Sequence, residues 1–190
     1  MNIILILIDS LNRDALSIYN SDTPCRAPNI ERLAARGVTF DNHVVGSLPC
    51  MPARREILAG RKEFLWRPWG SLEVFDPRLP KVVSQGGYNT AIVTDHYHYW
   101  EEEANGYIQG FGSSRMIRGH EIDAWQVPGN DPDPQWVRKI AEHGPLQRIR
   151  QYAANVAGFN GEEDYFPAKV FGAGQDWLNE NAAKGPFFLQ

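Results

Sequence analysis

The sequence predicts an α/β fold, a mainly parallel sheet sandwiched by helices, and three observations predict it. The chain opens on a continuous apolar, β-branched run at 3–8, of the kind that fills a strand covered on both faces. A second strand-like run, YNTAIVTD at 88–95, also ends in an acid, so that Asp9 and Asp95 each follow a strand. Segments with helical spacing lie between and after these runs, the alternation from which parallel sheets are built. With 190 residues, 43% of them hydrophobic and 22% charged, the chain is long enough for one domain with a sizeable core and is too apolar to be disordered.

Residues 3–8 are expected to form a buried strand, which puts Asp9 just past its carboxyl end, the edge where open α/β sheets bind ligands. The N-terminus has no basic stretch ahead of its apolar run and no small-residue cleavage site, and the run is too short to span a bilayer. It therefore reads as a strand rather than a leader or an anchor. A cytoplasmic location is expected on that reading, with Cys25 and Cys50 unpaired.

Residues 27–37, APNIERLAARG, predict a short amphipathic helix: Pro28 suits a first turn, Ile30, Leu33 and Ala34 share a face, and Gly37 supplies the stop. VTFDNHVV at 38–45 predicts a strand. A second short helix is expected from Cys50, acting as its cap, to Gly60, with Pro52 in its first turn and Ile57 and Leu58 at helical spacing. A Trp- and Pro-rich connection containing Trp66, Trp69 and Pro77 follows, then a helix at 79–87 and the strand at 88–95. Residues 96–133 carry Gly, Asn and Pro throughout and predict irregular, substrate-side loops. Helical spacing at 135–156 breaks near Gly144 and Pro145. Another helix is expected at 168–183, and PFFLQ at 186–190 begins a core strand.

The balance of 19 Lys and Arg against 23 Asp and Glu, with no block of like charge, excludes the basic footprint of a nucleic-acid or anionic-membrane binder. Chemistry concentrates at GSLPCMPARREILAGR, 46–61. A thiol at a helix N-terminus gains thiolate stabilisation from the macrodipole, and Arg54 adds positive charge one turn along. Cys50 is thus either a reactive, anion-facing thiol or a small buried hydrophobe at a helix start. The aromatic residues Trp66, Trp69, Tyr97, Tyr99 and Trp100 suit either core packing or a pocket for a sugar or aryl group.

Cys50-Met51-Pro52-Ala53-Arg54, followed by Leu58-Ala59-Gly60-Arg61, resembles the signature of the type I sulfatases, members of the alkaline phosphatase-like superfamily. In that family Cys-x-Pro-x-Arg is read by the formylglycine-generating enzyme, which oxidises the cysteine to formylglycine. Ala53 stands here where Ser is usual. The segments NIILILIDSLNRDAL, APNIERLAARGVTFDNHVV and GYNTAIVTDHYHYW extend the similarity over roughly the first hundred residues.

The resemblance implies an alkaline phosphatase-like sheet and hydrolysis of a small-molecule sulfate ester. It also implies a divalent metal, with calcium foremost and manganese or magnesium as alternatives. By residue, it implies Asp9 and the modified Cys50 as metal ligands, with Arg54 holding the nucleophile and the charge. Ser10 replaces the second acid of the family's pair and is at best a weak metal ligand. Thr94-Asp95-His96-Tyr97-His98 stands where Gly-Lys-x-His is usual, so the Lys is missing. Alternation after a strand would put His96 and His98 on the same side. His98 is taken as proton donor or charge stabiliser and His96 as a substrate contact, while His43, His120 and His143 read as structural or exposed.

Ser10 and the missing Lys also resemble phosphonate and phosphate ester hydrolases of the superfamily, the alternative substrate class. A catalytically inactive fragment that serves for binding is a third reading. The resemblance finally implies that residues 1–190 are the N-terminal part of a single, longer domain. A sheet edge left unpaired would then favour a homo-oligomer.

Overall fold

In the computed structural model, residues 1–64, 66–101, 105–129 and 134–190 are described. Among them four strands, β1 (Ile3–Ile4), β2 (Asn89–Thr94), β3 (Ser113–Met116) and β4 (Phe187–Leu189), form one sheet in the order β1-β4-β2-β3. Every neighbouring pair is parallel. Helices α1 (Pro28–Ala34), α2 (Cys50–Ala59), α3 (Leu79–Gln85), α4 (Gln135–Ala141), α5 (Leu146–Val156) and α6 (Phe166–Asn181) complete the expected α/β architecture.

β2 shows why a continuous apolar run belongs in such a sheet. Successive side chains of a strand point to opposite faces. Ile92 enters one core with Met51 and Leu58 of α2, Tyr99 and Tyr107. Its neighbours Ala91 and Val93 enter another, with Trp177 of α6, Phe187 and Leu189. Both faces are covered, so every position favours an apolar residue.

The first strand departs from expectation. Only Ile3 and Ile4 pair with β4, at the edge of the sheet, and the last ladder contact is Leu5 N–H to Leu189 O at 2.8 Å. Because β4 ends there, Leu5 to Ile8 have no strand beside them among the described residues, and Ile4, Ile6, Leu7 and Ile8 are exposed. The expected strand at 38–45 also does not form. Val38, Phe40, Val44 and Val45 lie open to solvent, and the segment is held instead by Arg13 Nη1 donating to Asp41 O (2.8 Å) and Tyr19 OH donating to Phe40 O (3.2 Å). An apolar pattern makes a strand only where a neighbour can take its backbone groups.

β3 lies within the stretch expected to be irregular. Its Ser-Ser-Arg-Met sequence has no apolar signal, because it is an edge strand tied to α6 through polar groups. Trp177 Nε1 donates to Ser113 Oγ (3.1 Å), and Arg115 reaches Ala173 O and Glu180. Positions 102–104 and 130–133 of that stretch, and position 65, lie outside the described residues.

α2 starts at Cys50 and stops at Gly60, whose φ of 65° is the left-handed turn that glycine adopts without strain. The cap position belongs to Pro49, and no side chain caps the helix, so Cys50 is the first helical residue rather than the cap. Buried Arg55 fastens the helix to the following connection. Its Nε lies 2.5 Å from Glu63, and its Nη2 donates to Arg67 O and Pro68 O at 2.9 Å each. Arg67 in turn pairs with Asp76 at 2.8 Å, and the Tyr107 hydroxyl donates to Met51 O and Gly70 O. The break expected near Gly144 and Pro145 separates α4 from α5. No helix among the described residues is long and apolar enough to cross a membrane.

Candidate functional site

Three separate elements converge on one point. Asp9 follows the first strand, Cys50 and Arg54 lie in the first turns of α2, and His96 follows β2. Arg54 Nη2 is 3.0 Å from Asp9 Oδ2, and Arg54 Nη1 donates to Cys50 O at 3.4 Å. His96 Nδ1 lies 3.4 Å from the same Asp9 oxygen. Asp9, Cys50 and His96 bring their ligand atoms within 4.8 Å of one another, a group that could hold a metal ion. The Ser10 hydroxyl donates to Asp9 Oδ1 at 3.0 Å, so it orients the carboxylate.

The electrostatics follow from burial and one guanidinium. Burial opposes the charge on Asp9, but Arg54, the Ser10 hydroxyl and His96 outweigh it and hold the carboxyl below its ordinary range. His96 is pushed down to about 3, first by burial and then by the charge of Arg54, against the weaker pull of Asp9. It is therefore neutral near pH 7. Burial first, and the Asp9 charge second, push the Cys50 thiol up, over the opposing backbone bond and Arg54. This corrects the expected thiolate stabilisation: Asp9 already takes up the Arg54 guanidinium. Arg54 Nε and His96 Nε2 are buried with no hydrogen-bond partner among the described residues.

Strand alternation does not govern His96 and His98. Residues Tyr97–Tyr99 form a 3₁₀ turn, so strand alternation ends at β2. His98 Nδ1 lies 2.5 Å from Glu101 Oε2 and its Nε2 lies 3.2 Å from Glu121 Oε2, with the ring edge-on to Trp69. Its ring centroid is 5.2 Å from that of His96. The aromatic cluster divides as well. Tyr99 is buried beside Tyr107, with the Arg54 guanidinium 5.7 Å from its ring centroid, while Trp66 is exposed.

His120, read from the sequence as structural or exposed, is anchored near this point. Its Nδ1 lies 3.0 Å from Asp95 Oδ2, and its ring stacks on Phe166. Burial lowers its proton affinity, but the bond to Asp95 and that residue's charge prevail and raise it. His120, Asp9 and Arg54 line one cavity of about 350 Å³ together with the apolar residues of the first strand and α6. The strand-end acid Asp95 was the only signal for this pair. Both cysteines are free.

Calcium takes six to eight oxygen ligands. The described residues at this point offer the Asp9 carboxylate, already bonded to Arg54 and Ser10, beside one imidazole and one sulfur. With Cys50 as a thiol, that set supplies fewer oxygens than calcium takes.

The chain is 30% identical to arylsulfatase D of Homo sapiens over 106 residues, 48% of this chain and 18% of that protein. It is 32% identical to iduronate 2-sulfatase of Mus musculus over 104 residues, 52% of the chain and 18% of that protein. It is also 30% identical over 99 residues to the multifunctional alkaline phosphatase superfamily protein PehA of Trinickia caryophylli, 48% of the chain and 19% of that protein. The matched segment thus spans less than a fifth of the length of these relatives. No solved structure gives a significant match. The Sulfatase family profile matches residues 1–190 throughout, and the chain belongs to the sulfatase family.

Proposed function

We propose that the protein to which these residues belong hydrolyses sulfuric esters with a formylglycine nucleophile made from Cys50 by a formylglycine-generating enzyme. The observation that carries this reading is the placement of Cys50 one helical turn from Arg54, whose guanidinium is fixed on Asp9 at 3.0 Å. In hydrated form the formylglycine aldehyde supplies one hydroxyl to attack sulfur and a second to expel sulfate. The chain's own residues provide the rest. Arg54 places a fixed positive charge where the transferred group's negative charge develops, the usual role of such a cation in a water-poor site. Asp9 holds Arg54 in place and Ser10 holds Asp9. His96, neutral and buried, faces the same point, while His98 is held between Glu101 and Glu121 and packs against it. A divalent metal belongs to this reading, but calcium would need oxygens beyond those described here.

A second reading has specific support. Ser10 in place of a second acid and the missing Lys favour a phosphonate or phosphate ester, and PehA is named for the alkaline phosphatase superfamily.

The test is the mass of the Cys50 peptide from protein co-produced with a formylglycine-generating enzyme, together with rates on aryl sulfate and aryl phosphonate measured on the full-length protein. Formylglycine at Cys50 with preference for the sulfate is expected. Formylglycine with preference for the phosphonate selects the second reading, and an unmodified Cys50 in an active enzyme rejects the nucleophile.

A further inference from the structure

We propose that, with Cys50 left as a thiol, Asp9, Cys50 and His96 bind a soft or borderline divalent cation of the zinc class. The inference does not depend on formylglycine chemistry, since it concerns the unmodified side chain. It begins from the mismatch with calcium: one carboxylate, one imidazole and one sulfur are a poor set for a hard cation and a good one for zinc.

The geometry supports it. Zinc–nitrogen and zinc–oxygen bonds of about 2.0–2.2 Å, arranged tetrahedrally, put two such ligand atoms about 3.4 Å apart. His96 Nδ1 and Asp9 Oδ2 are 3.4 Å apart, with no hydrogen bond between them. The cysteine sulfur lies within 4.8 Å of both and is the third ligand atom of the group. The ligands are held from outside the group: Asp9 by Arg54 and Ser10, His96 by its burial and the bond from its backbone N–H to Thr94 Oγ1. Its ring Nε2 is buried and has no hydrogen-bond partner among the described residues. The three ligands come from separate segments, Asp9 after β1, Cys50 at the start of α2 and His96 after β2.

Binding balances simply. The Cys50 thiol gives its proton to solvent, the thiolate forms the sulfur–metal bond, and Asp9 and neutral His96 each donate a lone pair. The fourth position is left to water or an anion, with Arg54 beside it.

The test uses this chain produced without a formylglycine-generating enzyme, with mass confirming the thiol. Cobalt(II) is titrated as the spectroscopic probe and then displaced by zinc, followed by calorimetry in two buffers of different ionisation heat. One cobalt per chain, a thiolate-to-cobalt charge-transfer band, one proton released and no competition from calcium are expected. Cys50→Ser should abolish the band. His96→Gln should weaken zinc at least about tenfold, the loss already seen when only a ligand's outer partner is removed. Cys25→Ser should change nothing, since Cys25 is exposed and remote in sequence from the group. Circular dichroism confirms that each variant is folded. Absence of the band in the parent protein, or zinc binding by folded Cys50→Ser and His96→Gln at parental strength, overturns the proposal. Either result leaves the sulfatase reading, decided by mass and substrate rates, untouched.

Discussion

Arg54 and Arg55 are neighbours in sequence with opposite duties. One residue of helix turns a side chain by about 100°, so Arg54 faces Asp9 while Arg55 runs into the core to Glu63. Arg54→Ala is expected to lower kcat of the full-length enzyme by about 10²-fold, the scale for losing one fixed charge-stabilising donor, with the melting transition little moved. Arg55→Ala should instead destabilise by about 1–3 kcal/mol, because it leaves Arg67 O and Pro68 O without their donor while Glu63 keeps its pair with Arg67. Rates and denaturant titrations on both variants check the division; a kinetic effect of Arg55→Ala alone would contradict it. The motif made Asp9, Cys50 and Arg54 legible from sequence. The choice between His96 and His98 was not legible, since it depends on whether the chain keeps strand geometry or turns at Tyr97, and nothing in DHYHY decides that.

At the scale of elements, the loop after β3 is held by a buried carboxylate. Asp123 is buried and accepts from Arg118 Nε and Nη2, Gly119 N–H and Trp100 Nε1. Asn155 of α5 holds the same turn through Gly119 O and Asp123 O at 2.8 Å each. Burial works against the charge of Asp123, but these donors prevail and lower its pKa from 3.8. A depressed carboxyl contributes stability that is full above that ordinary value and is lost as pH falls through the lower folded value. Acid unfolding followed by circular dichroism should therefore become shallower in Asp123→Asn, at the cost of lower stability near pH 7. An unchanged acid limb would show that Asp123 does not govern it. The end of α2 gives a simpler case: Gly60→Ala meets no atom within 4 Å, so its expected cost of about 1–2 kcal/mol is the left-handed backbone alone. Of the elements, β2 and α2 were legible because apolar spacing and glycine punctuation act locally. β3 was invisible because α6 covers it with polar partners, and 38–45 was misread because a strand pattern carries no information about who will pair with it.

The whole molecule exposes Ile4, Ile6, Leu7 and Ile8 beside Phe171 of α6, an apolar surface next to a sheet edge. Such surfaces promote association. Sedimentation of this chain should show concentration-dependent self-association that Ile6→Lys reduces; a parent monomeric at all concentrations would remove the edge as a cause. The sheet order has another consequence, in time. Ile3 pairs with Phe188, so β1 docks on a strand that is made much later in synthesis. At about 5–20 residues per second, that partner arrives on the order of 10–40 s later. Loop closure across that separation is a slow, high-contact-order step. The apolar run at 3–8 therefore stays unmated for that interval, available to any chaperone that reaches it before β4 does.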